Sequence, residues 1–241
     1  MIPKELQVRY YFKDLNSCPI RKAFSNTKYV WEALEKKDKI LNLEHSVLKG
    51  RVSDKSVIEN HVVIDKKTIV DPFVFIKGPV IIGENCTIRS GALIRPFTII
   101  GDNCVIGHNV EIKNSILFDY AKISTNSFLG DSIIGKGGRT GSGVITGNRR
   151  FDQKKIVFRF ATSKYETEFE KFGCVLGDYS RLGANAVTAP GALIGPFSWI
   201  YGLSSIRGFV KERTLVKLRQ GFESIEKDEQ ILEYLDREGN I

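Results

Sequence analysis

The chain has 241 residues, 42% of them hydrophobic, and a net charge of +8 from 36 Lys+Arg against 28 Asp+Glu. It holds no run of about 18 apolar residues, and MIPKELQVRYYFKDL sets charges where a signal peptide has its apolar stretch. A cytoplasmic protein that neither spans nor docks on a membrane is therefore expected. The cationic excess favours anionic partners. Without a zinc finger, RNA-recognition signature or basic zipper, small phosphorylated ligands are expected rather than nucleic acid.

Residues 1–50 read as a helical or irregular cap. Ser25-Asn26-Thr27 supplies N-cap residue types for a helix starting near Lys28, with Val30, Trp31 and Leu34 on one face.

A strict period begins at Val52. Stepping by six gives Val52, Ile58, Ile64, Val70, Ile76, Ile82, Ile88, Ile94, Ile100, Ile106 and Ile112. A second column two residues earlier holds small or β-branched residues: Val62, Thr68, Val74, Val80, Cys86, Ala92, Thr98, Cys104 and Val110. Neither a helix nor a sandwich strand has this period. Three short strands per turn, one on each face of a triangular prism, do. Strand alternation points both columns inward, and Gly83, Gly101 and Gly107 suit corners that need φ > 0. The expected fold is an all-β solenoid, a parallel β-helix over residues 51–210, whose coils must stack to bury a core.

The stretch AKISTNSFLGDSIIG, 121–135, interrupts this rhythm with the polar run Ser124 to Ser127. The period resumes at Leu176, Leu182, Thr188, Ile194, Ile200 and Ile206. Between them, RRFDQKKIVFRFATSKYETEFEKFG (149–173) has no period and carries Arg149, Arg150, Lys154, Lys155 and Arg159. It predicts a protruding hairpin or loop inserted between coils, and long ordered insertions often carry function. Over 211–241, the spacing of Leu215, Leu218, Phe222, Ile225, Leu232 and Leu235 predicts a C-terminal helix with one apolar stripe.

No two of Cys18, Cys86, Cys104 and Cys174 form a C-x-x-C pair, which argues against a zinc site. Cys86 and Cys104 fall in the small inward column. Glu111 and Lys113 flank inward Ile112, so both point outward; they either pair with each other, or Lys113 holds phosphate. Asp131, after Gly130, reads as a turn residue.

IRPFTIIGDNCVIGHNVEIKNSI, FLGDSIIG and SGVITGN resemble the hexapeptide-repeat acyltransferases, and within them the acetyltransferase domain of the bifunctional glucosamine-1-phosphate acetyltransferase/N-acetylglucosamine-1-phosphate uridylyltransferases and the sugar-1-phosphate nucleotidylyltransferase-like proteins. The resemblance covers residues 70–210. It implies a left-handed β-helix, a homotrimer, and a site between subunits for an amino-sugar phosphate or nucleotide sugar and acetyl-CoA. The arginine and lysine that bind sugar phosphate fall on Arg95 and Lys113, and a further substrate lysine falls on Lys154. Asn148 and Ser142 fall where the coenzyme is held.

The sequence departs from the family at three places. The catalytic histidine falls on Thr125, a substrate tyrosine on Phe128, and a substrate asparagine on Arg139. Histidine suits deprotonation of an amine near neutral pH and threonine does not. Of His45, His61 and His108, His108 lies in the matching region at a corner; it reads either as a solvated corner residue or as a replacement base, and substrate-assisted chemistry is the other route that dispenses with the histidine. The family's nucleotidylyltransferase domain has no counterpart in residues 1–50. Two readings stay open: an acyltransferase with an altered or impaired site, and a non-catalytic sugar-phosphate-binding or scaffolding trimer that partners a separate nucleotidylyltransferase.

Overall fold

A computed structural model describes residues 2–15, 21–221 and 223–224. Its body is a left-handed parallel β-helix. Among the described residues, two nine-stranded sheets and one eight-stranded sheet form the three faces, and in each sheet a strand pairs with the third strand onward in the chain, or with the fifth where the inserted hairpin intervenes. One coil shows the plan: Thr98–Ile100 lies on the first face, A; Val105–Ile106 on the second, B; and Glu111–Lys113 on the third, C.

Both inward columns are buried as the alternation requires. Ile64, Ile76, Ile82, Ile88, Ile94, Ile100, Ile106 and Ile112 have no exposed surface, and Cys86, Cys104 and Val110 pack beside them. Each such aliphatic side chain stabilises the fold by about 1.5–3 kcal/mol. The backbone of each corner bonds to the coil above: Gly101 N–H donates to the Leu117 carbonyl and Thr87 N–H to the Cys104 carbonyl.

The glycines have a different cause from the one expected. Gly101 and Gly107 do not take positive φ; that conformation falls two residues later, at Asn103 and Asn109. Asparagine tolerates it because its short polar side chain bonds locally. The glycines are needed because the next coil crowds them. A Cβ on Gly107 would stand 2.8 Å from the Thr125 amide nitrogen.

Nor does the rhythm break at Ser124–Ser127, which form an ordinary corner between faces B and C. Ile82 pairs with Ile100, a step of 18, whereas Ile100 pairs with Leu117 and Ile106 with Ile123, steps of 17. One residue is missing at the corner Asn114–Ser115, between faces C and A. Another is missing at Asp131–Ser132, the same corner one coil on, where Leu117 pairs with Ile134. One coil further, this corner carries the insertion, so Ile134 pairs with Leu176. Three consecutive C/A corners thus depart from the repeat.

The insertion is a hairpin of Val157–Phe160 against Ser163–Glu166, as expected, but it folds down on face A instead of protruding. The N-terminal segment joins it there. Face A has an aliphatic outward column, Ile99, Ile116, Ile133, Val175 and Leu193, which packs with Phe12, Phe24, Trp31, Phe158 and Phe172 into a second core. The described residues of the N-terminal segment therefore flank the prism rather than capping only its end.

The helical run starts as 3-10 turn Val30–Glu32, continues as α-helix Ala33–Lys36 and ends as 3-10 turn Lys37–Lys39. Ser25 and Thr27 do not cap it; their hydroxyls donate to the carbonyls of Lys22 and Phe24. Glu32 reaches back to accept the Lys28 N–H at 2.7 Å instead.

At the other end, Leu215 lies in strand Leu215–Val216 on face B, not in a helix. The six-residue column continues through Val210 to Val216, so another coil edge forms and the solenoid runs past 210. Phe222, Ile225, Leu232 and Leu235 of the expected stripe lie outside the described residues. Among the described residues, no helix is long and apolar enough to cross a membrane.

Candidate functional site

The residues singled out from the sequence gather on two different edges. His108, Thr125 and Ser142 occupy equivalent positions in three successive B/C corners, each preceding a positive-φ residue: Asn109, Asn126 and Gly143. They line an open groove of about 570 Å³ with Arg89, Ser90, Lys122 and Ser124.

His108 Nδ1 lies 2.6 Å from the Ser90 carbonyl oxygen. That oxygen only accepts, so in the neutral ring the proton sits on Nδ1 and Nε2 is the acceptor. Thr125 donates its hydroxyl proton to Ser142 Oγ at 3.0 Å, and Ser124 Oγ donates to the Thr140 carbonyl at 2.6 Å. The edge is a ladder of hydroxyls with one imidazole above it.

Arg95, Lys113 and Asn148 lie on the C/A edge, separated from the groove by strand positions such as Phe128–Gly130, about 10 Å of extended chain. Both cations there already have carboxylate partners. Arg95 Nη1 is 2.7 Å from Glu111 Oε1, and Lys113 Nζ is 2.8 Å from Asp131 Oδ2. Glu111 therefore pairs with Arg95, not with Lys113.

Asp131 is a turn residue, with φ 51°, but its carboxylate is buried. Asn114 and Asn148 amides both donate to it, and Lys37 Nζ, itself buried, donates to Asn114 Oδ1 at 2.6 Å. Burial lowers the Lys37 pKa, and the Asp38 carboxylate opposes that shift. Asn148 and Ser142, expected together at a coenzyme site, do not meet within one chain.

Lys154 is exposed in the insertion. Phe128 lies on face C in register with Glu111, and Arg139 on face B in register with Lys122. Sequence reasoning missed Lys37 and the carboxylate role of Asp131. The unbroken aliphatic outward column of face A was the legible sign that an N-terminal segment would cover it. Among the described residues, no group of three or more His, Cys, Asp or Glu could hold a metal.

Two family models match the chain: the GMPPB C-terminal domain over residues 76–194, and the bacterial transferase hexapeptide (six repeats) over 55–96. The bifunctional protein GlmU of Methanococcus aeolicus is 35% identical over 170 residues, 70% of this chain and 41% of that protein. The bifunctional sugar-1-phosphate nucleotidylyltransferase/acetyltransferase of Sulfurisphaera tokodaii is 36% identical, over 61% of this chain and 41% of that protein. The chain thus spans less than half the length of these two relatives. The uncharacterized acetyltransferase YaiX of Escherichia coli is 36% identical, over 62% of this chain and 69% of that protein.

Among solved structures, a variant of AntD, an N-acyltransferase from Bacillus cereus in complex with dTDP and coenzyme A, superposes with TM-score 0.40 at 15% identity, over 86% of this chain and 97% of that one. UDP-N-acetylglucosamine acyltransferase of Francisella novicida superposes with TM-score 0.35 at 18% identity, over 67% and 60%. Scores this low say nothing of ligands. The chain belongs to the hexapeptide-repeat, left-handed β-helix acyltransferase superfamily and is related to the GlmU proteins.

Proposed function

We propose that the chain is a coenzyme A-dependent acyltransferase acting on a phosphate-bearing amino sugar or nucleotide sugar, and that it works as a homotrimer. The contact that carries this reading is His108 Nδ1 with the Ser90 carbonyl, which leaves Nε2 as a base on an open groove. The groove's chemistry fits the coenzyme: Lys122 has no ion partner among the described residues, the Asp71 carboxylate that also lines it is paired with Arg89, and Ser142 offers a hydroxyl at the rim.

The coenzyme, when bound, supplies a thioester carbonyl for attack. His108 Nε2 takes the proton from the substrate ammonium, freeing its lone pair. Thr125 and Ser142 orient the substrate through its hydroxyls. Thr125 itself accepts no proton near neutral pH, so the base has moved one coil back. Arg95 and Lys113 lie along the other edge of face C from His108, and Lys154 lies in the insertion, so in this reading the homotrimer sets them beside the groove of a second copy. The outward side chains of face C support association: Val57, Ile145 and Val187 are exposed and apolar.

The test is thiol release from acetyl-CoA over a panel of hexosamine 1-phosphates and nucleotide-linked amino sugars. Release that depends on the acceptor, and falls about 10²–10⁴-fold in His108→Ala, is expected. Absence of release with every acceptor, from folded protein, sinks the reading.

A second reading has its own support. Arg95 and Lys113 are already neutralised by Glu111 and Asp131, and the Thr125 hydroxyl is spent on Ser142. Within the alternative of a non-catalytic sugar-phosphate-binding or scaffolding trimer, these pairings favour the scaffolding form, partner of a separate nucleotidylyltransferase, since neither cation is free for phosphate. A trimer that neither turns over nor binds the same panel is its signature; saturable binding without turnover marks the sugar-phosphate-binding form instead.

A further inference from the structure

We infer that the outward column Lys122–Arg139–Arg181–Trp199 on face B binds the diphosphate and base of a nucleotide. These four residues are consecutive register partners on adjacent strands. All four side chains are exposed. Strands stand about 4.8 Å apart, so three cations occupy a strip about 10 Å long.

Like charges directly opposite each other destabilise a sheet. Elsewhere on the prism the chain answers its cations with acids: Arg89 with Asp71, Lys66 with Glu84, Arg95 with Glu111, Lys113 with Asp131. Lys122, Arg139 and Arg181 have no such partner among the described residues. A bound anion of two or three charges removes that repulsion.

The column ends on aromatic surface. Trp199 is 48% exposed, and the Arg181 guanidinium sits 4.9 Å from its ring centroid. Tyr201 lies beside it under Lys217. An open groove of about 430 Å³ joins Arg139 and Arg181 to Trp199 and Tyr201. Gly141, Gly183 and Gly202 also line it.

A strip this short matches a diphosphate and is too short for a nucleic-acid duplex. A π face next to clustered cations matches a base joined to that diphosphate. The same chemistry comes from two sources, the adenosine diphosphate portion of coenzyme A or the nucleotide of a nucleotide sugar. The inference rests on the acyl-transfer reading only in naming these two.

Trp199 reports binding directly. The chain's two tryptophans are Trp31 and Trp199, and Trp31 is 3% exposed. Titrating ADP, coenzyme A, UDP-N-acetylglucosamine and adenosine should quench Trp199 fluorescence for the phosphorylated compounds alone. Quenching by ADP and coenzyme A marks the coenzyme as the source; quenching by the UDP compound alone marks the nucleotide sugar. Arg139→Ala and Arg181→Ala should each raise Kd about tenfold, the loss of one charge-assisted contact. Arg181→Lys should restore part of it. Adenosine binding as tightly as ADP, affinity unchanged in both alanine variants, or affinity for oligonucleotides that rises with their length would each overturn the inference.

The two proposals fail separately. Turnover of acetyl-CoA with a KM unmoved by Arg139→Ala and Arg181→Ala overturns this site and leaves acyl transfer standing. Quenching by ADP in a protein that releases no thiol does the reverse.

Discussion

Trp31 of the N-terminal segment stacks on Phe158 of the inserted hairpin, with centroids 4.1 Å apart and planes 16° from parallel. Two segments separated by more than 120 residues of sequence thus close one core over face A. Tyr29 extends the stack on the far side of Trp31 at 4.6 Å. Trp31→Ala should cost about 3–5 kcal/mol in urea unfolding. A double-mutant cycle with Phe158→Ala should return a coupling of about 0.5–1.5 kcal/mol. Additive losses would mean that the hairpin and the N-terminal segment hold face A independently.

Asp131 is the hub of the C/A edge. Its carboxylate neutralises Lys113, whose side chain is 17% exposed, and accepts from Asn114 and Asn148. Its carbonyl accepts the Gly173 N–H where the insertion returns to the coil. Asp131→Ala strands a mostly buried ammonium and should destabilise by about 3–5 kcal/mol. The companion variant Asp131→Ala/Lys113→Met should recover much of that loss. Equal stability of the two variants would show that the ion pair is not the cause.

Asp178 pins the N-terminal segment to the A/B edge, accepting the Lys13 N–H at 2.8 Å and the Lys136 N–H at 2.9 Å. Burial raises its pKa above the ordinary carboxylate value; the two N–H bonds and the Lys136 charge oppose this, and Asp14 adds to it. Between the unfolded and the raised folded pKa, the folded state holds more protons than the unfolded one. Stability from this group is therefore full below the unfolded pKa and falls as pH rises through the folded value. The Tm of Asp178→Asn minus that of wild type should increase from pH 3.5 to pH 6, an interval of roughly the usual carboxylate range. A difference that decreases would show a carboxylate stabilised by its bonds.

Cys174 is buried, and that burial pushes its thiol up to about 11. Cys104, equally enclosed, is also raised, by its hydrogen bond with Cys86 and by burial. The thiolate is the reactive form. Peptide-mapped alkylation at pH 8 should therefore spare Cys104 and Cys174 in the native protein and modify both in urea. Rapid native labelling of either of them would place that thiol outside the core.

Much of this fold is written in one-dimensional form. The inward columns, Ile82 to Ile112 in steps of six, name the core residues, because a corner every six residues leaves only two positions able to face inward. The hairpin at 149–173 is legible as a lapse of that period. His108, Thr125 and Ser142 recur every 17 residues instead of every 18, because one residue is missing at 114–115 and another at 131–132. The same two deletions separate Lys113 from Asn148, so neither edge follows from counting in steps of six.

What the sequence determined by itself is therefore the solenoid: its period, its buried ladders, its small corner residues and the site of its insertion. These depend on local alternation, which any stretch of chain repeats without reference to distant residues. Only the tertiary structure decided that the inserted hairpin would join the N-terminal segment over face A, that Lys37 would reach Asn114, and that Lys122, Arg139 and Arg181 would stand in one unpaired column. Those outcomes depend on which coils become neighbours and on where a non-repeating segment lies across them. Residues 122, 139 and 181 meet because steps of 17 and 42 both close one turn, which the chain length between them does not disclose.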